Sequence, residues 1–168
     1  MKDNIGFQYL DKKDFASLSR QIFDILADNM SVIAPTGNSR EEDFNCWFSA
    51  VSDGLERDER QIILIKNGTE IIGFFQYYVN EDTLAMEEIQ LASEYHGKAN
   101  AFRNLYGFLF ENIPHSLKYV KAFANKQNEK SILILQKLGL KKAGENKNGN
   151  SYFFTGDFAD LLNWYKGE

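Results

Sequence analysis

The sequence predicts a mixed α/β fold in which a central sheet combines an antiparallel meander with a β-α-β unit and carries helices on both faces. Two amphipathic helical patterns precede three consecutive strand patterns. A strand, a helix and a strand follow over residues 83–124, and a right-handed crossover is expected to join parallel strands in such a unit. A further helix, a hairpin and a last helix complete the chain. At 168 residues, we expect one domain spanning 1–168.

The first third of the chain predicts one strand and two helices. Residues 5–11 alternate loosely and form the expected first strand. From Asp14 to Met30, apolar residues recur at three- and four-residue spacings, which indicates an amphipathic helix with Asp14 as its cap. A loop with a proline and a glycine follows. Ser39 is then expected to cap a second helix over 39–53, whose acidic first turn suits the helix dipole.

The middle of the chain predicts the meander. Runs rich in β-branched and aromatic residues define strands at 60–66, 69–79 and 83–92. The dipeptide Asn67-Gly68 joins the first two strands, and it is the strongest two-residue signal for a hairpin. A short Asn-Glu-Asp turn joins the last two. We therefore expect three consecutive antiparallel strands.

The last third predicts alternating helices and strands. A helix over 98–112 presents one apolar side and stops before Pro114. A strand at 118–124 follows, and then a helix over 128–138 ends at Gly139, where a left-handed C-cap is expected. A hairpin around Lys-Asn-Gly-Asn and a short amphipathic helix close the chain.

Composition excludes several classes of function. The net charge is −5, from 24 acidic and 19 basic residues, so no broad basic surface is available for a nucleic-acid partner. Neither a signal-peptide pattern nor an 18-residue apolar run occurs, which predicts a cytoplasmic protein without a membrane partner. The single Cys46 lies among apolar residues and is expected to be a buried structural thiol. Two histidines and one cysteine predict no metal site.

The corner between the strand 83–92 and the next helix is a candidate anion site. The corner reads Tyr95, His96, Gly97, Lys98, Ala99, Asn100 and Ala101. The first turn of a helix exposes backbone N–H groups and the positive end of the helix dipole. Small residues at 97, 99 and 101 let a phosphate approach the backbone, and Lys98 adds a positive charge. The alternative is a structural corner that binds nothing.

This corner resembles the first signature of the GNAT superfamily of N-acetyltransferases, a strand followed by Gln/Arg-x-x-Gly-x-Gly/Ala. The residues that agree with common family usage are Tyr95, Gly97, Lys98 and Ala101. His96 stands where Arg or Gln is usual, and Ala99 stands where the first glycine belongs.

A second stretch resembles the other signature of the same family, an Asn, a small residue three positions later, and a helix that ends in Gly-Phe. Asn128, Ser131 and Gly139 match it, and Leu140 replaces the Phe. The resemblance covers about 60–155, and the order of elements agrees along the whole chain.

The resemblance implies that acetyl-coenzyme A is the co-substrate and that no metal is used. In this family, the strands that correspond to 83–92 and 118–124 splay apart, and the pantetheine arm pairs with strand backbone in the gap. The thioester carbonyl would meet backbone N–H groups near Leu91, and the pyrophosphate would rest on the corner, where His96 is expected to donate to a phosphate oxygen. The implied cofactor-binding residues are Leu91, Ala92, His96, Gly97, Lys98, Ala99, Asn100, Ala101, Asn128 and Ser131.

The resemblance also implies an acidic base on the strand 83–92. Glu87 and Glu88 are the candidates, and they alternate to opposite faces, so the sequence does not choose between them. The alternative is that both are solvated or ion-paired carboxylates. Many family members protonate the departing thiolate with a tyrosine seven residues after the signature Asn, but Leu135 occupies that position here.

The expected function is acetyl transfer from acetyl-coenzyme A to a primary amine by direct attack in a ternary complex. The acceptor is a small-molecule or peptide amine whose identity stays open, as does the choice between monomer and homodimer. The alternative is a weakly active or inactive coenzyme A-binding or interaction module on the same fold. Trp47 and Phe48 are expected either to wall the acceptor pocket or to pack in the core.

Overall fold

The computed structural model describes residues 4–57, 59–97 and 100–167. Short 3-10 turns at Lys12–Asp14 and Ser93–Tyr95 lie between regular elements. The strands and helices, in chain order, are β1 Ile5–Tyr9, α1 Phe15–Ile33, α2 Arg40–Glu56, β2 Gln61–Asn67, β3 Glu70–Asn80, β4 Thr83–Leu91, α3 Ala101–Phe110, β5 Tyr119–Asn125, α4 Glu129–Lys137, β6 Lys141–Glu145, β7 Ser151–Asp157 and α5 Phe158–Lys166.

The seven strands form a mixed sheet in the order β1-β2-β3-β4-β5-β7-β6. β4 and β5 pair in parallel, and β1 with β2, β2 with β3, β5 with β7, and β6 with β7 pair antiparallel. The predicted fold class is therefore confirmed. By its internal contacts, the chain divides into two compact units, one made of 1–77 and 88–101 and the other of 78–87 and 102–168. The expectation of a single domain over 1–168 stays a prediction.

The first unit builds its core from α1, α2 and the β2–β3 hairpin. Leu64 lies opposite Phe74 in the register of that hairpin, so both side chains point to the same face of the sheet. The buried cluster on this face consists of Leu10, Phe15, Ile22, Val51, Leu55, Ile62, Leu64 and Phe74. Trp47 and Phe48 pack against the cluster, and the ring of Phe48 stacks on Phe15 with 5.4 Å between centroids. These contacts favour the core-packing interpretation of both aromatic residues.

The caps of the first two helices differ from each other. The Ser39 hydroxyl accepts a hydrogen bond from the Glu42 N–H at 3.1 Å, so the predicted cap of α2 is confirmed. Asp14 stands at the N-cap position of α1 as predicted, but the expectation of a capping side chain is wrong, because Asp14 makes no such hydrogen bond within the described segment. Asp11 instead accepts from the Lys13 N–H at 3.1 Å and starts the 3-10 turn that leads into α1.

The prediction that Cys46 is buried is also wrong, since this thiol is exposed. The inner stripe of α2 runs through Trp47, Val51 and Leu55 at four-residue spacings. Cys46 precedes Trp47 by one residue, or about 100° of helix rotation, and therefore lies off that stripe. Apolar neighbours in the sequence did not predict burial because helical phase decides which side faces the core.

The second unit joins α3 and α5 by aromatic contacts. Phe110 meets Phe158 and Tyr165 edge-on, with ring centroids 5.9 and 5.3 Å apart. The helices approach so closely that a Cβ added at Gly107 would lie 2.5 Å from the Tyr165 hydroxyl oxygen. Arg103 donates to the Tyr165 carbonyl oxygen and so holds the end of α5. These contacts explain why Phe110 of α3 and Phe158 of α5 are buried.

The ends of the remaining elements follow local backbone chemistry. Gly139 has φ of 97° directly after the C-cap of α4, so the predicted left-handed position is confirmed. The hairpin predicted at Asn67-Gly68 is also confirmed, with φ of 61° at Gly68. α3 begins at Ala101, which is three residues later than the sequence predicts.

Replacing Gly73 by alanine should destabilise the first unit. An added Cβ would lie 2.5 Å from the Gln90 carbonyl oxygen and 3.1 Å from a methyl carbon of Ile65, so β3 or β4 must move. We expect a loss of about 2 kcal/mol in the free energy of unfolding, measured by chemical denaturation. Gly6→Ala is the matched control, because nothing lies within 4 Å of its added Cβ. Equal stabilities for the two variants would contradict the close approach of β3 and β4.

Candidate functional site

The peptide group between Leu91 and Ala92, at the end of β4, is held from both sides. The Ala92 N–H donates to the Ile72 carbonyl oxygen of β3 at 2.7 Å. The N–H and C=O of a trans peptide point in opposite directions, so the Leu91 carbonyl points away from β3. There it accepts hydrogen bonds from Asn29 Nδ2 at 2.9 Å and His96 Nε2 at 2.6 Å. Groups from β3, α1 and the corner thus fix one peptide plane.

The preceding peptide group turns the other way. The Gln90 carbonyl oxygen lies against β3, where it is the atom that an added Cβ at Gly73 would meet. Because the Leu91 N–H belongs to the same trans peptide as that carbonyl, it points away from β3. Both backbone groups of Leu91 therefore lie along the β4 edge that faces away from β3. This is the position in which the sequence predicts a backbone donor for a thioester carbonyl.

A chain of side-chain hydrogen bonds runs from α1 to Glu88. Asn29 Nδ2 donates to Gln90 Oε1 at 2.9 Å, and Gln90 Nε2 donates to Glu88 Oε1 at 2.6 Å. The donor-to-acceptor direction of these hydrogen bonds is fixed at both ends. The Leu91 carbonyl that binds Asn29 can only accept, and an ionised carboxylate can only accept. Glu88 and Gln90 are two residues apart in the strand and share a face.

The structure separates the two candidate bases. Glu88 belongs to the first unit and is linked through Gln90 to α1, whereas Glu87 belongs to the second unit. Both side chains are half-buried. Strand parity could not choose between them, and the structure adds that the Glu88 carboxylate is linked through Gln90 to α1.

The corner after β4 is a compact turn. The Tyr95 and His96 N–H groups donate to the Ala92 and Ser93 carbonyl oxygens at 2.9 and 3.2 Å. Asn67 Nδ2 donates to the Tyr95 hydroxyl oxygen at 3.0 Å, so the hairpin asparagine also anchors the corner. The amides of Tyr95 and His96 are therefore used within the turn, and the predicted anion site depends on amides after His96.

The described residues of the predicted phosphate site have the backbone of a tight turn. Gly97 and Asn100 have φ of 76° and 56°, in the left-handed region, and Ala101 begins α3. Apart from its chain neighbours, no atom of the described residues lies within 4 Å of the position of a Cβ at Gly97, which leaves its backbone open on that side. Lys98 and Ala99, also predicted there, lie outside the described residues.

The side chain of His96 has a different partner from the one predicted. Its Nε2 lies 2.6 Å from the Leu91 carbonyl oxygen. Because a carbonyl oxygen only accepts, Nε2 carries the proton in this contact. In the neutral ring, Nδ1 is then an acceptor and offers nothing to a phosphate oxygen. The predicted contact of His96 with phosphate stays a prediction; while Nε2 is bound to Leu91, it requires a second proton on Nδ1.

In the second unit, the predicted residues Asn128 and Ser131 form a helix cap. Asn128 Oδ1 accepts from the Ser131 N–H at 3.1 Å at the start of α4. One turn earlier, Asn125 Oδ1 accepts from the Gln127 N–H at 2.9 Å. The sequence identified Asn128 and Ser131 by resemblance alone, although an Asn three residues before a helical N–H is also a capping pattern.

Two buried residues of the second unit bear on the question of a phenol that could donate a proton. Leu135, at the position where the family commonly has a tyrosine, is buried. Tyr106 is fully buried in α3, and its hydroxyl donates to the Met86 sulfur at 3.3 Å. Burial raises the pKa of Tyr106 well above its ordinary value, so this hydroxyl stays protonated.

Sequence reasoning missed Asn29 and Gln90. Asn29 has a signal, polarity in an apolar position, because it follows Ile22 and Leu26 at the spacing of the inner stripe of α1. Gln90 has none, because a polar residue between two apolar ones is the ordinary alternation of a strand. A polar side chain on a buried stripe requires a polar partner. The sequence does not identify that partner, because the two residues lie 61 positions apart.

The described part of the chain carries neither a metal-binding cluster nor a helix suited to cross a membrane. No group of three or more His, Cys, Asp or Glu side chains is arranged there to hold a metal ion. None of the helices described combines the length and the apolar character that a membrane crossing requires.

Solved structures of acetyltransferases share this fold. No protein-family model and no curated protein matches the chain by sequence. The PaiA N-acetyltransferase of Thermoplasma acidophilum, solved with coenzyme A, has a TM-score of 0.70 and 14% identity over 92% of this chain and 99% of that chain. A GNAT-family acetyltransferase from Staphylococcus aureus has a TM-score of 0.68 and 8% identity, over 92% and 99%.

A spermidine N-acetyltransferase from Vibrio cholerae, solved with coenzyme A and spermine, has a TM-score of 0.62 and 14% identity over 95% of this chain and 98% of that chain. Likeness at these identities concerns the fold. The chain has the GNAT fold, as the resemblance of its two signatures implied.

Removing the cap of α4 should weaken the second unit. Asn128→Ala deletes the oxygen that accepts from the Ser131 N–H, and we expect a loss of about 1 kcal/mol in the free energy of unfolding. Asn128→Asp keeps a capping oxygen and should lose much less. Chemical denaturation of both variants measures the difference, and no loss in Asn128→Ala would show that the cap contributes nothing.

Proposed function

We propose, on the premise of the GNAT fold, that this protein is an N-acetyltransferase that transfers an acetyl group from acetyl-coenzyme A to a primary amine. The observation that carries the proposal is the orientation of Leu91, whose N–H and C=O lie along the β4 edge away from β3. An N–H in that position can donate to the thioester carbonyl and stabilise the negative charge that develops on it during attack.

The proposed cofactor contacts are mainly with the backbone. The pantetheine arm extends along the outer edge of β4, as an added strand would. Within the second unit, the parallel register of β4 with β5 ends at Met86 and Ala122, although β5 continues to Asn125. The diphosphate rests on amides of the corner around Gly97, whose positive φ and open surroundings support a close approach.

In the proposed reaction, the lone pair of a neutral amine attacks the thioester carbonyl carbon and the carbon–sulfur bond breaks. Coenzyme A leaves as the thiolate, and the amine nitrogen loses its proton to a base, directly or through water. We assign Glu88 as that base, because Gln90 and Asn29 hold its carboxylate in one orientation. Leu135 offers no proton, so the thiolate takes its proton from solvent or from the base.

We propose a cationic amine as the class of acceptor. The net charge of −5 favours the approach of a cation, and a half-buried carboxylate at Glu88 suits an ammonium group that has to lose its proton. The Vibrio cholerae protein of the same fold was solved with spermine, which supports this class. A cytoplasmic location and a monomeric or homodimeric state remain part of the proposal.

Acetyl-coenzyme A should stabilise the protein against heat. At a concentration 100-fold above its Kd, a ligand that binds only the native state adds about 2.7 kcal/mol, which raises the Tm of a chain of this length by about 5–10 °C. The measurement is a thermal scan at increasing acetyl-coenzyme A, with acetate as the control ligand. A Tm that does not respond would contradict both the enzyme and the binding-module interpretations.

Glu88→Gln should slow acetyl transfer without weakening cofactor binding. Loss of a general base lowers kcat by about 10²–10⁴-fold, while the Tm shift with acetyl-coenzyme A stays unchanged. Release of the coenzyme A thiol in the presence of a panel of primary amines measures kcat. Thiol release by the wild-type protein identifies an enzyme, and its absence identifies a binding module. Glu87→Gln is the matched control and should retain activity. The reverse pattern, or full activity in both variants, would remove Glu88 from the mechanism.

A further inference from the structure

The Leu91 carbonyl oxygen already has two donors. Asn29 Nδ2 lies 2.9 Å from it and His96 Nε2 lies 2.6 Å from it. A carbonyl oxygen accepts along two lone pairs, so these two donors fill it. A ligand amide that pairs with β4 at Leu91, as an added strand does, needs this same oxygen as its acceptor. One of the two donors then has to leave.

The two donors are held very differently. Asn29 is half-buried, and its amide nitrogen also donates to Gln90 Oε1 at 2.9 Å. Displacing Asn29 would break two hydrogen bonds and leave polar atoms inside the first unit without partners. His96 is exposed, so its Nε2–H returns to water when the contact with Leu91 breaks. A buried polar group that loses its partner is penalised far more than an exposed one, and His96 is therefore the donor that leaves.

We propose that His96 competes with the pantetheine arm for the Leu91 carbonyl and that binding of coenzyme A releases its imidazole. This inference rests on the proposed function, since it requires coenzyme A to pair with β4. The exchange involves hydrogen bonds only: the bond from His96 Nε2–H to Leu91 breaks, and one from a pantetheine amide N–H to Leu91 forms. His96 thereby lowers the affinity for any ligand that carries the amide arm, and it leaves the affinity for the nucleotide part alone unchanged.

Histidine NMR tests the proposal directly, and the chain contains its own control. His115, the only other histidine, also directs its Nε2 to a carbonyl oxygen, that of Phe110, at 2.7 Å. Two-bond ¹H–¹⁵N spectra of the free protein should show both rings as Nε2–H tautomers. Saturating coenzyme A should change the His96 signals to those of a solvent-exposed ring. The His115 signals should stay unchanged, and ADP, which has the diphosphate but no amide arm, should leave both rings unchanged.

Each other result overturns the proposal in a recognisable way. An Nδ1–H tautomer for His96 in the free protein removes its premise, whatever the ligands do. If coenzyme A binds while His96 stays on Leu91, the competition is refuted and the proposed function stands. If ADP alone releases His96, the imidazole is displaced by the diphosphate and not by the amide arm, and the proposal is wrong. Failure of coenzyme A to bind at all refutes the proposed function, and this inference fails with it.

A binding measurement gives an independent check. His96→Ala removes the competitor, so the Kd for coenzyme A should fall by about twofold to tenfold, the range set by the net strength of one hydrogen bond. The Kd for ADP should stay within about twofold, and His115→Ala should change neither. Weaker binding of coenzyme A to His96→Ala would contradict the proposal, because it would make the imidazole a contact of the ligand.

Discussion

The structure around the candidate site depends on one peptide group, that between Leu91 and Ala92. Its N–H is bound to β3, and its C=O is bound to α1 and to the corner. With both ends fixed, the plane cannot rotate. The Leu91 N–H belongs to the preceding peptide, whose Gln90 carbonyl oxygen lies against β3, so this N–H points away from β3. The edge of β4 on which the proposed chemistry takes place is thus set by contacts within the first unit alone.

Most of the fold could be predicted because it follows from local chemistry. Helical stripes, the cap at Ser39, the hairpin at Asn67-Gly68 and the left-handed position at Gly139 each depend on a few adjacent residues. The errors arose where a neighbour in sequence was mistaken for a neighbour in space. Asp14 is the N-cap residue of α1, but the capping side chain is that of Asp11 on the preceding 3-10 turn, and Cys46 is exposed because it lies off the inner stripe of its helix.

The candidate site was less predictable, for a different physical reason. Its backbone groups could be located from the two signatures, but their side-chain partners could not. Asn29 and Gln90 meet across 61 residues, and the tautomer of His96 depends on a carbonyl five residues earlier that only the turn brings within reach. Such contacts require the relative position of α1, β4 and the corner, which no local pattern contains.

Reliance on the backbone also explains how the signatures can change while the fold persists. Structures of the same fold share 14% or less of their residues with this chain in the alignments described above, yet their TM-scores are 0.62–0.70. A site made of N–H and C=O groups needs side chains only to shape the turn and to satisfy the groups that face inward. His96, where Arg or Gln is usual, meets that need by donating to Leu91. The His96 imidazole thereby helps to hold the end of β4 in place.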